Sequence, residues 1–142
     1  MKLVKHILDT KGNNIWSVGS EESVFSAIKM MADKNVGALL VMDDGKLNGI
    51  ISERDYARKV ILKGRSSEQT KVKDIMTTEV VSTRPEISVE DCMELMTEKR
   101  IRHLPVLNGS SVVGVLSIGD LVKAIIAEQQ FTIQQLENYI HS

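Results

Sequence analysis

The 142-residue sequence predicts an α+β fold made by duplication, two tandem β-α-β-β-α repeats packed sheet to sheet about a pseudo-twofold axis. Three observations carry that prediction. Sliding the chain by 65 residues lays positions 17–55 on positions 82–120 without a gap, with 11 of 39 identical. So many identities in one fixed register mark an internal repeat rather than shared composition. A helical apolar face falls in the same place in both copies, and a Gly-containing turn then separates two short β-rich runs in each. One repeat of about 60 residues buries too little surface to stand alone, so two copies with matching apolar faces must pack together.

Each element follows in order. Val4-Lys5-His6-Ile7 resembles Val72-Lys73-Asp74-Ile75 at an offset of 68, so the first copy carries about three extra residues near 11–13. Val24, Ala27, Ile28 and Met31 lie at i, i+3, i+4 and i+7, one face of a helix; Val89, Cys92, Met93 and Met96 repeat it. Ser23 and Ser88 stand where a hydroxyl can cap the first turn. Strands are expected over 38–42 and 47–51, and again over 103–107 and 112–116. Asp44-Gly45 and Asn108-Gly109 supply the positive φ of tight hairpins. A second helix follows each hairpin, starting near Arg54 and near Gly119. The polar, aperiodic stretch 63–71 reads as a linker. The expected division is a first repeat over 1–66, a second over 67–128 and a helical tail over 129–142. No Gly or Pro interrupts 120–140, so the last helix is either long or broken once near 128–130. Ile133, Leu136 and Ile140, with Phe131 and Tyr139 nearby, make the tail amphipathic; it packs on its own module or meets a partner.

Composition narrows the function. Eighteen Lys and Arg against 19 Asp and Glu give a net charge of −1, which speaks against a general nucleic-acid or polybasic membrane binder. Aromatics at 4% are too few for base-stacking platforms. The apolar run 38–42 is far too short to span a bilayer, and the N-terminus lacks a secretory signal pattern. The single cysteine rules out an internal disulfide and a multi-cysteine metal site. A cytoplasmic, metal-free protein is expected. Cys92 sits on the apolar helix face and reads as a buried, inert thiol, and Trp16 as a core or interface residue. His6 and His141 are terminal and expected to be solvated. No HExxH, Walker or GxGxxG pattern occurs, and no Ser/His/Asp constellation is supported, so no catalytic residues are assigned and an enzyme is not expected.

The chemistry concentrates at two strand-to-helix junctions, Ser52-x-x-Asp55 and Ser117-x-x-Asp120. The plain structural account is a capping box, in which Ser caps the helix and the acid reaches back to the cap N–H. A functional account is compatible with it. A helix N-terminus suits phosphate, and a carboxylate there can accept the two hydroxyls of a ribose. Arg54, Arg58, Arg102 and His103 are the candidate phosphate cations. Arg58 is i+4 from Arg54, on one helix face. Arg102 and His103 are adjacent on a strand and point to opposite faces, so at most one faces a given cleft.

The residues that open the second helix pattern (Ser88-Val89), Arg102-His103-Leu104-Pro105-Val106, and the run from Val113 to Leu121 resemble the cystathionine-β-synthase (CBS) domain. Val36-Gly37-Ala38 and Ser52-Glu53-Arg54-Asp55-Tyr56 give the same pattern in the first copy. Over about 5–127 the chain resembles a stand-alone CBS pair, or Bateman module. It departs from the common pattern at Leu40 and Ser20, where the second copy has Pro105 and Pro85. The resemblance implies a regulatory module that binds an adenine-containing ligand in clefts between the repeats and signals to a regulated partner protein. AMP is the first choice, then NAD or NADH and ATP, with ADP and S-adenosylmethionine also in the family's range. By the same resemblance Asp55 and Asp120 hold ribose, and Ser52 and Ser117 contact ribose or phosphate. Backbone groups of Val36, Gly37, Ala38, Ile101, Arg102 and His103 meet the adenine edge, and Ile15 and Val80 clamp the ring. Pro105 and Gly119 complete the candidate set. The alternative is a protein–protein adaptor with vestigial clefts. A homodimer is expected, its helices burying Ala57, Val60, Ile61, Val122, Ile125 and Ile126.

Overall fold

The computed structural model describes residues 2–141. The fold is α+β, and each copy of the repeat forms its own sheet.

In the first copy, β1 (Ser17–Val18) runs parallel to β2 (Ala38–Asp43), which pairs antiparallel with β3 (Lys46–Ser52). The helix α2 (Val24–Lys34) lies between β1 and β2 in the chain. The second copy has α4 (Val89–Lys99), then the hairpin of β4 (His103–Asn108) and β5 (Ser111–Ser117). A single parallel bridge between Thr83 and Val106 stands where β1 would be. The first hairpin turns on Asp44 and Gly45, with φ of 51° and 76°, the two positive values of a type I′ turn. The second turns on Gly109 and Ser110, with positive φ at Gly109 alone, and Asn108 ends β4 instead of entering the turn.

The caps fall where the sequence puts them. Ser23 Oγ accepts the Ser26 N–H at 3.1 Å, and Ser88 Oγ the Asp91 N–H at 3.1 Å. Both helices end alike. Asn35 and Arg100 turn left-handed, and the next residues, Val36 and Ile101, donate back to Met31 and Met96 carbonyls at 3.0 and 3.1 Å. The two cores then repeat at the 65-residue offset. Val24, Ala27, Met31, Leu39, Val41 and Ile51 are buried in one; Val89, Cys92, Met96, Leu104, Val106 and Leu116 are buried in the other.

The compact units nevertheless differ from the sequence repeats. Residues 15–80 form one unit, and residues up to 14 with those from 81 onward form the other. The leader of each repeat is the reason. The helix α1 (Val4–Lys11) buries Val4, Ile7 and Leu8 in the core of the second copy. Its counterpart, the 3-10 turn Val72–Asp74, buries Val72 with Ile75 in the core of the first. Each leader thus completes the core of the copy it does not precede. The close approach is visible at two equivalent glycines. A Cβ on Gly114 would lie 2.6 Å from Leu8 Cδ2, and one on Gly49 would lie 2.8 Å from Met76 Sδ and from the Thr77 carbonyl.

Two sequence expectations are corrected, the free linker and the surface role of Val60, and the alternative left open for the last helix is decided. The polar stretch 63–71 is docked and is no free linker. Ser67 and Thr70 carbonyls accept the Phe25 and Val24 N–H groups at 2.9 and 2.8 Å, satisfying donors that the start of α2 leaves open, and Thr70 is buried. The second helix of the first copy is short. The helix α3 (Glu53–Tyr56) widens at once into a π turn over Ala57–Ile61. Val60 on that turn is fully buried in its own unit, so it has no surface to offer another molecule; Ile61, Val122 and Ile126 are exposed. The last helix, α5 (Ile118–Ile140), runs unbroken for 23 residues.

Candidate functional site

Both Ser-x-x-Asp motifs form complete capping boxes. At the first junction the Asp55 N–H donates to Ser52 Oγ at 3.2 Å. Asp55 Oδ2 in return accepts the Ser52 N–H at 2.9 Å and its hydroxyl at 3.1 Å. At the second, the Asp120 N–H donates to Ser117 Oγ at 3.2 Å and Asp120 Oδ2 accepts the Ser117 N–H at 2.8 Å. The entry of the preceding hairpin is tied to the same turn. Gly37 and Arg102 carbonyls accept the first helical N–H groups, from Glu53 at 3.0 Å and Ile118 at 2.8 Å. Ala38 and His103 lie directly across the ladder from Ser52 and Ser117. The structure therefore gathers Gly37, Ala38, Ser52 and Asp55 at one junction, and Arg102, His103, Ser117, Gly119 and Asp120 at the other.

The cation beside each aspartate is a lysine that sequence reasoning did not single out. Lys59 Nζ lies 3.1 Å from Asp55 Oδ1 and donates to the Ile75 carbonyl at 2.8 Å. Lys11 Nζ, from α1, lies 2.6 Å from Asp120 Oδ2 and donates to the Val115 carbonyl at 2.6 Å. Lys59 carries a local signal, being i+4 from Asp55. Lys11 carries none, because it reaches its partner across 109 positions through the exchanged leader. Arg54 and Arg58 are exposed on α3 and the π turn, and Arg102 is exposed ahead of β4.

The two carboxylates differ in what they still offer. Both oxygens of Asp55 are engaged, Oδ2 by Ser52 and Oδ1 by Lys59. On Asp120 both contacts fall on Oδ2, and among the described residues no donor bonds Oδ1. Burial pushes the Asp120 carboxyl up. The Lys11 and Ser117 hydrogen bonds outweigh that and hold it below its ordinary value, so it is ionised at neutral pH. His103 is half-buried in front of it. Burial first, then the Lys11 charge, lowers the imidazole below its ordinary value, while Asp120 works the other way, and the ring is neutral at pH 7. The Gly119 N–H at the second position of α5 has no acceptor among the described residues, and Gly119 is exposed. The junction thus presents an ionised carboxylate oxygen, a lysine with a spare proton, a neutral imidazole and an open helix N–H.

The other candidates are placed as follows. Pro105, two residues along β4 from His103 and hence on the same face, is buried and pairs with Val115. Val36 and Ile101 are half-buried at the helix ends. Ile15 and Val80 are half-buried at the first and last positions of their unit. Trp16 lies at the surface of that unit, with Lys34 Nζ 4.3 Å from its ring centroid, and does not enter the core. Cys92 is buried 3.3 Å from Thr83 Oγ1; burial pushes its thiol up, which makes it inert. His6 is exposed, but its Nδ1 accepts the Leu3 N–H at 2.9 Å and caps α1.

The profile of the CBS domain family matches residues 4–62 and 72–127, one copy on each repeat. The chain belongs to the CBS domain family. It is 42% identical over 147 aligned residues to the mitochondrial CBS domain-containing protein CBSX3 of Arabidopsis thaliana, covering 96% of this chain and 71% of that one. The structure of a CBS-domain protein from Burkholderia ambifaria is 52% identical, with a TM-score of 0.87 over 93% of this chain and 99% of that one. The CBS domain pair of protein MJ0100, solved in complex with 5′-methylthioadenosine and S-adenosyl-L-methionine, is 26% identical. Its TM-score is 0.80, covering 90% of this chain and 98% of the other. The two CBS repeats are therefore the organising feature of the chain, and the family match ends at 127, short of the last turns of α5. Among the described residues no helix is long and apolar enough to cross a membrane.

Proposed function

We propose that this CBS pair is a regulatory module, without catalysis of its own, that binds an adenine-containing ligand at its Ser-x-x-Asp junctions and passes the signal to a partner protein. The observation that carries the reading is the Asp120 carboxylate. It is fixed through Oδ2 by Ser117 and Lys11, and it keeps Oδ1 as an acceptor. A ribose hydroxyl donating to Oδ1 makes a charge-assisted hydrogen bond, stronger than one between neutral groups. Phosphate then meets the Gly119 N–H and the third proton of Lys11, at the positive end of α5. Ser52 and Asp55 offer the same frame with both carboxylate oxygens engaged, so the second junction is the stronger site. The adenosine moieties in the MJ0100 complex support the ligand class. AMP is the first choice, with ATP, NAD, NADH and S-adenosylmethionine as the comparison set.

A thermal-shift panel of these compounds tests the reading, because a ligand that binds only the folded state raises the midpoint by mass action. A rise with at least one of them is expected. No rise with any at millimolar concentration would leave a protein–protein adaptor with vestigial nucleotide sites.

A further inference from the structure

Two of the six asparagines in the chain, Asn48 and Asn108, stand in the same tripeptide, Leu-Asn-Gly. Before glycine the carbon of the asparagine amide is open to attack by the next backbone nitrogen, because no Cβ stands in the way. Both asparagines are exposed, one on each hairpin. The fold holds the first and leaves the second open. Asn48 Nδ2 donates to Asp43 Oδ2 at 2.8 Å. Gly49 is buried in β3, paired with Val41 and packed against Met76 Sδ and the Thr77 carbonyl. Ile50 exchanges both backbone bonds with Thr77, at 3.0 and 2.9 Å, so the alternation of an antiparallel ladder turns the Gly49 N–H toward β2. That nitrogen cannot swing to Asn48 unless the ladder opens. Asn108 differs at each point. Its side chain makes no hydrogen bond among the described residues. Gly109 is exposed in the turn at a φ of 64°, and its N–H has no acceptor among the described residues. Even a Cβ on Gly109 would meet nothing within 4 Å.

We propose that Asn108-Gly109 is a site of self-modification, at which the chain converts to aspartyl and isoaspartyl forms, while the fold protects Asn48-Gly49. Water is the only co-reactant, and nothing is oxidised or reduced. The Gly109 nitrogen gives up its proton and bonds to Asn108 Cγ. The C–N bond of the side-chain amide breaks, and its NH2 leaves with that proton as ammonia. Water then opens the resulting cyclic imide at either carbonyl, giving aspartate or isoaspartate. Both products place a carboxylate where a neutral amide stood. The isoaspartyl form also routes the main chain through the side-chain carbons, which lengthens it at the pair of Asn108 and Ser111 that closes the second hairpin. The pair of His103 and Ser117 lies at the far end of that ladder, so the change loosens the turn and leaves the ligand junction in place.

The test is peptide mapping of the full chain by mass spectrometry after incubation in mildly alkaline buffer. Trypsin puts the two sites on separate peptides, 47–54 and 103–123, each with a single side-chain amide. In the folded chain 103–123 is expected to convert at least about tenfold faster than 47–54, because Gly49 must first leave its ladder. The product should separate into two peaks of equal mass, aspartyl and isoaspartyl, as opening of an imide at either carbonyl requires. In urea, where turn and ladder are both lost, the two peptides should convert at similar rates. Equal rates in the folded chain, faster conversion at 48, no conversion at 108, or an aspartyl product alone would overturn the proposal. A rate difference that persists in urea would do the same, since it would belong to the flanking sequence and not to the fold.

Discussion

At the scale of single residues, two glycines and one histidine carry the sharpest consequences. Gly49 and Gly114 are equivalent in the repeat, but their neighbours differ in how far they can yield. An alanine at 49 would press on the Thr77 carbonyl, which is held in a ladder bond to the Ile50 N–H at 3.0 Å. An alanine at 114 meets only the branched end of Leu8. Gly49→Ala should therefore cost about 1–3 kcal/mol, the range for an overpacked core, and Gly114→Ala less. Urea unfolding of the two variants checks the order; a larger loss for Gly114→Ala would contradict it. His103 sets a pH dependence. Its folded pKa lies below the ordinary 6.5, so the unfolded chain binds more protons between the two values. Stability should be full above about pH 6.5 and fall as acid is added through the folded value. Asp120, held below its ordinary 3.8, adds a further loss at lower pH. His103→Gln should flatten the upper part of this curve and leave the lower part, measured as thermal midpoint against pH. The carboxylates and their serines were legible in the sequence because their chemistry is local, three residues apart. Lys11 was not, because nothing short of the exchanged leader brings α1 to the start of α5.

At the scale of elements, the repeat told most of the story. Helical faces, the first hairpin turn and the N-caps follow from local spacing and stand where the spacing puts them, while the second turn falls one residue later, on Gly109 and Ser110. Ser88→Ala removes the acceptor of the Asp91 N–H and should cost about 1 kcal/mol, seen as a lower urea midpoint with an unchanged slope. What spacing could not show is where an aperiodic segment rests. The stretch 63–71 has the polarity of a linker, yet its carbonyls close the N-terminus of α2, a role that leaves no trace in side-chain pattern. The π turn after α3 is hidden because its five residues are too few to show a period of their own.

At the scale of the molecule, the exchange of leaders means that a change at one end of the chain is felt at the other. Ile7 belongs to the core of the second copy. Ile7→Ala should cost about 2–4 kcal/mol, and amide exchange should rise in α4, β4 and β5 before it rises in α2, β2 and β3. A rise confined to the first copy would contradict the exchange. The duplication was legible because both copies kept the same six core positions, whereas the exchange was not, since an offset of 68 instead of 65 in the leader marks an insertion without saying which core the leader enters. The central claim concerns the second junction, and titration calorimetry tests it most directly. AMP should bind the wild-type chain, and Asp120→Ala should weaken it about ten- to a hundredfold, the loss of a hydrogen bond to a charged group of about 1.5–3 kcal/mol. Asp55→Ala should weaken it less. Undiminished binding to Asp120→Ala, or a larger loss at Asp55→Ala, would contradict the account.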